Sequence, residues 1–175
     1  MNFKDLQIEE SKILPEVKII TPSVSTDNRG TIFTTYNKEI YNQFLPGGLE
    51  FIHDKFAESK KNVLRGLHGD NKTWKLITCI YGEIYEVVVD MRPDSPTYLK
   101  WDGFNLNAVN KKQILVPPDF VNGYCVLNDF AVFHYKLAYT GEYFDVAQQT
   151  VVKWNDDRLK INWPVKDPIL QDRDK

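Results

Sequence analysis

A proton could be moved beside a carbonyl by four residues that fall close together in type and spacing. His68 and Arg65 share the turn VLRGLH (Val63 to His68), Lys75 opens the apolar run that follows, and Tyr135 lies in FHYK (Phe133 to Lys136). A base that removes a proton next to a ketone needs a pKa near neutrality, which histidine has unaided. The enolate it leaves needs a cation or hydrogen-bond donor at its oxygen, a task suited to Lys or Arg. If the proton returns on the opposite face, a second acid is required, and a tyrosine hydroxyl can serve. Residue types alone leave the plainer reading ahead. A histidine at a strand end is more often solvated or packed, Lys75 reads equally as an exposed strand lysine, and Tyr135 on an apolar face reads as core.

Other chemistries find little support. The histidines His53, His68 and His134 never occur as HxH or HxxxH, and Cys79 and Cys125 lack CxxC spacing, so no protein metal site is expected. Pro46-Gly47-Gly48-Leu49 lacks the Lys-Ser/Thr of a phosphate loop, and no GxGxxG is present for a dinucleotide. Ser25 and Gly141 lie in no nucleophile elbow. The expectation is an enzyme without a cofactor.

The elements that must position these residues are short strands. Lys75–Tyr81 and Glu83–Val89 are rich in β-branched and aromatic residues around Gly82, and Gln113–Val116, Tyr124–Leu127 and Ala131–Ala138 follow. Arg92–Thr97 and Asn128-Asp129 turn the chain. In the last strand Phe133, Tyr135 and Leu137 share one face and Val132, His134 and Lys136 the other. One helix is predicted after an Asn37 cap, with Ile40, Tyr41, Phe44 and Leu45 as its apolar stripe and Pro46-Gly47-Gly48 as its stop. A single turn is predicted over Asn155–Lys160. This pattern predicts an all-β antiparallel jelly roll in one domain over residues 1–175.

Composition agrees with a globular domain. The chain has 175 residues, 42% of them apolar, and a net charge of -2 from 22 basic and 24 acidic side chains with no basic block. Neither nucleic acid nor an anionic membrane is therefore an expected partner. No segment has the length and apolarity of a membrane span or the pattern of a signal peptide. Two cysteines in apolar runs read as packing thiols of a cytoplasmic protein.

Several of these stretches, taken together, resemble one family. SKKNVLRGLH (Ser59 to His68), KLITCIYGEIYEVVVDMRPDSPT (Lys75 to Thr97), NKKQILVPPDFVNGY (Asn110 to Tyr124), FHYK, VVKWNDDRLKINWP (Val151 to Pro164) and PILQDRD (Pro168 to Asp174) occur in uninterrupted order. They are similar to the dTDP-4-dehydrorhamnose 3,5-epimerases, enzymes of nucleotide 4-keto sugars. The resemblance implies a cupin-like fold without metal and a homodimer in which an N-terminal strand crosses to the partner. It also implies deprotonation beside the C4 ketone of a nucleotide-sugar substrate, with reprotonation on the other face. Carried over by motif, His68 is the base, Asp174 its orienting carboxylate with Asp172 in reserve, Lys75 the enolate cation and Tyr135 the acid. Arg65 and Arg29 are expected at the diphosphate, where a planar guanidinium can hold oxygens in pairs. His53, in EFIHDKF (Glu50 to Phe56), falls at the sheet edge near the pocket, as a support or a ligand contact.

Three departures bear on the substrate. Asn122 in PPDFVNGY stands where the family commonly has His, and can bond a sugar hydroxyl but cannot take a proton. Thr31 and Thr34 in RGTIFTT replace an aromatic and an acidic residue at the thymine. Tyr139 and Tyr143 lie out of register with a second tyrosine that often follows FxYK. The thymine-site changes favour a GDP-4-keto-heptose of capsule synthesis over a dTDP-4-keto-6-deoxyglucose. A 3,4-ketoisomerase and a non-catalytic sugar-nucleotide binding module are the other readings, and inversion at C3 alone or at both C3 and C5 stays open.

Overall fold

The computed structural model describes residue 2 and residues 4–175. Its strands are β1 (Gln7–Glu10), β2 (Lys18–Thr21), β3 (Val24–Asp27), β4 (Gly30–Phe33), β5 (Phe51–Lys60), β6 (Leu64–Gly69) and β7 (Trp74–Tyr81). They continue with β8 (Glu83–Asp90), β9 (Trp101–Asn107), β10 (Gln113–Val116), β11 (Phe120–Val126), β12 (Phe130–Ala138) and β13 (Thr150–Val151). One sheet has the order β1-β2-β10-β7-β12-β5 and the second β13-β6-β11-β8-β9, while β3 and β4 form a separate ribbon. The pairings are antiparallel throughout these sheets. This is the cupin-like antiparallel jelly roll.

The two sheets are held by what they bury between them. Ile77, Ile84, Val88, Ile114, Phe120 and Phe133 pack there, and each such side chain contributes roughly 1.5–3 kcal/mol on leaving water. The five-stranded sheet is covered on its other face as well. Val87, Val89, Val121 and Cys125 meet Val152, Leu159, Trp163 and Val165 of the C-terminal segment. Double coverage explains why β8 and β11 are apolar without alternation. Backbone bonds fasten the segment: Leu64 N donates to Ile169 O at 3.0 Å, Ile169 N to Asn62 O at 2.8 Å, and Val152 N to Leu67 O at 3.0 Å. The chain end is thereby returned beneath β6.

The early helix is shorter than its apolar stripe predicts. An α-helical turn, α1 (Lys38–Tyr41), passes directly into a 3-10 turn over Asn42–Phe44. Asn37 has extended backbone at the N-cap, but its side chain makes no capping bond and its Oδ1 is buried without a partner. Packing holds the turn instead: Tyr41 and Leu45 lie on Leu76, Leu115 and Ala138, and Tyr41 Oη donates to Gln113 Oε1 at 2.7 Å. Residues 155–160 form turns rather than a helix. Within this chain β1 is exposed along its length and pairs with β2. No helix among the described residues is long and apolar enough to cross a membrane.

Candidate active site

Two glycines bring the site together. Gly66 on β6 has a φ of +126°, and a Cβ built on it would lie 2.5 Å from Gly123 Cα on β11. A Cβ on Gly123 would in turn lie 2.6 Å from Arg65 O. Only glycine on both sides allows this approach. Beside it the β6–β11 register shifts between Asn122 and Tyr124, with His68 opposite Asn122 and Arg65 opposite Tyr124. Such a bulge re-aims side chains, and here His68, Arg65 and Asn122 all open into one cavity of about 310 Å³. Lys75 from β7 and Tyr135 from β12 line the same cavity.

His68 is held from both sides of its ring. Nε2 lies 2.6 Å from Asp174 Oδ1, and Asp174 is fully buried at the chain end. Asp174 Oδ2 accepts from Gly66 N at 3.3 Å and Gln171 Nε2 at 3.1 Å. The other ring nitrogen, Nδ1, lies 3.0 Å from Arg173 Nη2. A guanidinium only donates, so the network assigns the proton to Nε2 and the lone pair to Nδ1. Burial pushes His68 below the ordinary histidine range, against the pull of Asp174, and Arg173 and Lys75 push the same way as burial. The imidazole is therefore neutral at neutral pH and carries its basic nitrogen toward the cavity side.

Lys75 is half-buried as a residue, but its ammonium is enclosed. It donates to His68 O at 2.9 Å and to Asn122 Oδ1 at 2.7 Å, which leaves one N–H for a ligand. Burial brings it down to about 8, with Asp70 and Glu86 opposing. Asn122 Nδ2 donates to Glu86 Oε1 at 2.7 Å. Glu86 is fully buried on β8, its Oε2 has no partner, and burial raises its carboxyl to about 8. Burial thus favours the neutral carboxyl on Glu86 and loosens the proton on Lys75, with the Asn122 amide fixed between them.

Tyr135 packs against Phe133 with ring centres 5.1 Å apart, and Phe133 stacks on Tyr124 at 4.3 Å. Arg65 is exposed at the cavity mouth, where its Nε donates to Ser59 Oγ at 3.0 Å. Ser59 Oγ is also 3.1 Å from Tyr124 Oη. Arg65 Nη2 also donates to Glu58 O at 3.4 Å, so Nε and one Nη2 N–H are anchored and the remaining N–H groups are free for an anion.

A model of the dTDP-4-dehydrorhamnose 3,5-epimerase family matches residues 11–175. The Shigella flexneri dTDP-4-dehydrorhamnose 3,5-epimerase is 39% identical over 164 residues, covering 92% of this chain and 89% of the relative. The chain belongs to this family. Its members are epimerases, enzymes of the isomerase class. The Legionella pneumophila dTDP-6-deoxy-D-glucose-3,5-epimerase, solved in complex with dTDP-4-keto-L-rhamnose, superposes with a TM-score of 0.89 at 32% identity over 97% of this chain and 90% of that one. The Bacillus anthracis dTDP-4-dehydrorhamnose 3,5-epimerase, solved with TDP and PPi bound, gives 0.88 at 35% identity over 97% of each.

Set against the family motifs, the structure gathers His68, Lys75, Tyr135, Arg65 and Asn122 at the cavity, with Asp174 behind His68. Two expected contacts lie elsewhere. Arg29 sits on the β3–β4 turn, exposed and paired with Asp27 at 2.5 Å, away from the cavity of its own chain. His53 stands behind the cavity wall, with Nδ1 3.2 Å from Tyr139 Oη and its ring edge-on to Tyr143 at 4.9 Å. It supports a wall residue and does not line the cavity. Asp172 points to solvent and pairs with Lys175. His134 faces the outer surface and bonds Asp54 at 2.8 Å. Among the described residues, no three His, Cys, Asp or Glu side chains gather as a metal site needs.

Sequence reasoning passes over Arg173, Glu86 and Lys55, and sets Tyr143 aside as out of register; the structure puts Tyr143 in the cavity lining. Glu86 had a readable signal, because it shares the strand face of Ile84 and Val88 and so must be buried with them. Arg173 had none beyond its place beside Asp174.

Proposed function

We propose that the protein inverts C3 and C5 of a dTDP-linked 4-keto-6-deoxy sugar. The observation that carries this reading is one cavity in which a buried carboxylate orients a neutral imidazole while an ammonium and a phenol share the lining. His68 Nδ1 takes the proton from the carbon beside the ketone, once Arg173 has released its bond to that nitrogen. Asp174 holds the imidazolium that results. The free N–H of Lys75 meets the enolate oxygen, a contact of a kind worth roughly 3–4 kcal/mol in the transition state. Tyr135 returns a proton from the opposite face. Arg65 holds the diphosphate, and the remaining N–H of Asn122 is left for a sugar hydroxyl.

The dTDP-linked substrate replaces the GDP-heptose expectation. That expectation rested on Thr31 and Thr34; neither lines this chain's own cavity, and Thr31 shares the β3–β4 ribbon with Arg29, so both bear on a partner's site. The relatives reported above carry dTDP or TDP in their names or complexes, and none of them supports a GDP-heptose. The test is turnover of dTDP-4-keto-6-deoxyglucose in deuterated water. Deuterium at C3 and C5 with an inverted product is expected, and Tyr135→Phe should lose inversion more than initial exchange. No isotope uptake would defeat the proposal, and a ketone moved to C3 would make the protein an isomerase of the 3,4 type.

The displaced Arg29 supports a homodimer. The β3–β4 ribbon belongs to neither sheet and exposes Ile32 and Val24, while edge strand β5 exposes Ile52 and Phe56. A second copy that covers these residues would let Arg29 reach the partner's diphosphate site. A monomeric mass in solution would contradict it.

A further inference from the structure

The β5–β12 ladder places Lys55 directly opposite Tyr135. Facing residues of an antiparallel pair have Cβ atoms ~4.5–5.5 Å apart on the same side of the sheet, and both of these side chains line the cavity. Lys55 Nζ lies 6.0 Å from the centre of the Tyr135 ring and 4.9 Å from that of Tyr143, and it donates to Tyr143 Oη at 3.3 Å. The polar partners of this half-buried ammonium are thus phenols. It is a cation beside groups that are neutral until one of them gives up a proton.

We propose that Lys55 is a positioning residue for the acid of this reaction, its ammonium holding the phenolate that Tyr135 becomes when its proton passes to the sugar ring. The inference rests on Tyr135 being that acid. In the step, the enolate reforms its C=O and the electrons of its C=C make the new C–H bond. The Tyr135 O–H bond breaks with its pair left on oxygen, and the phenolate regains a proton from water before the next turnover. The surroundings fit this role. Burial pushes the Tyr135 phenol up, and Lys55 is the foremost group that pulls it back; Tyr143 raises it and Arg65 lowers it further. Ile77 on β7 and Phe133 complete its surroundings with apolar groups. Lys55 itself is held above the ordinary lysine value, because Tyr135 and Tyr143 together outweigh the effect of burial.

Two readouts on the full-length protein test this. The chain has nine tyrosines, so tyrosinate absorbance is titrated as the difference between the parent and its Tyr135→Phe variant, without substrate. In the Lys55→Met background that difference should titrate at higher pH, and Lys55→Arg should restore it; Lys55→Gln supplies the same comparison if the methionine variant folds poorly. With substrate in deuterated water, Lys55→Met should lose inversion on the order of ten-fold, a fraction of what an acid group provides, and keep isotope exchange on the His68 face. An unmoved phenol titration overturns the inference whatever the activity. Equal loss of exchange and inversion with a raised KM assigns Lys55 to a substrate anion and also overturns it. Undiminished inversion by Tyr135→Phe would bring down the acid assignment beneath it, a failure the titration separates from the first.

Discussion

Replacing Asp174 by Asn probes the base without changing its size. Asp174 Oδ1 accepts from His68 Nε2, and Oδ2 accepts from Gly66 N and Gln171 Nε2. An amide can satisfy only one side. With its oxygen toward His68, its NH₂ confronts the Gly66 N–H, which cannot turn away. With its NH₂ toward His68, Nε2 must become the acceptor, and the proton moves to Nδ1, where it confronts Arg173. The first arrangement costs about 1–3 kcal/mol for a buried donor left without an acceptor. In either arrangement the imidazolium formed on proton abstraction loses a charge-assisted bond worth ~1.5–3 kcal/mol, inside a site that water screens little. The first cost falls on ground and transition states alike, so the lost charge-assisted bond sets the change in turnover, about 1.5–3 kcal/mol or roughly 10–10² in kcat. The KM should change little, because Asp174 does not line the cavity. The pH profile adds a sign. His68 works as a base above its own pKa, and Asp174 is the group that opposes burial there, so the acid limb of the residual activity should move to lower pH. The assay is deuterium exchange and product formation with dTDP-4-keto-6-deoxyglucose, with circular dichroism to verify folding. A folded variant that exchanges within about two-fold of the parent rate would refute the dyad, because a loss of at least ~10-fold is required.

Further substitutions test the parts around it. Glu86 is protonated in the folded protein up to about 8 but ionises near 4.5 when unfolded; stability from this group therefore falls as pH rises through that window. Glu86→Gln should show a thermal-stability advantage that grows from pH 4.5 to 8, by at most ~1.4 kcal/mol per pH unit, and a flat difference would place the carboxylate in a better-solvated state. Gly123→Ala should destabilise by about 1–3 kcal/mol and lower kcat as well, because its methyl would press on Arg65 O and separate β6 from β11; unchanged melting and turnover would show that the strands have room. Arg65→Lys should raise KM about ten-fold through loss of a planar fork at the diphosphate, with the ratio of exchange to inversion unchanged; a shifted ratio would place Arg65 at the chemistry instead.

How much of this was legible depended on which face each strand shows and to what. β7, β8 and β12 were readable because their apolar residues meet other apolar residues, so composition and period report burial directly. Residue pattern starts this strand at Tyr124, whereas β11 begins at Phe120; Asn122 and Gly123 are the bulge that lines the site, inside a strand buried along its whole length. β5 was missed for a related reason. It presents His53 and Lys55 inward among Phe51, Ala57 and Ser59, and Ile52 and Phe56 outward among Asp54, Glu58 and Lys60, so neither face is uniformly apolar. Its inner side faces the cavity, and its outer side sets Ile52 and Phe56 between the charged Asp54, Glu58 and Lys60. The Asp174–His68 partnership spans 106 residues, and no local pattern encodes it; motif resemblance alone supplies it, and the backbone bonds of Ile169 and Val152 with the packing of Val152, Leu159, Trp163 and Val165 explain why the tail returns. The same argument covers Arg29 and His53. Motif position places a residue on the correct element, but whether its side chain enters a cavity depends on the packing beside it, here the free β3–β4 ribbon and the Tyr139–Tyr143 wall. A lysine that faces inward on an edge strand, as Lys55 does, is therefore better evidence of a site than the presence of any single reactive residue type.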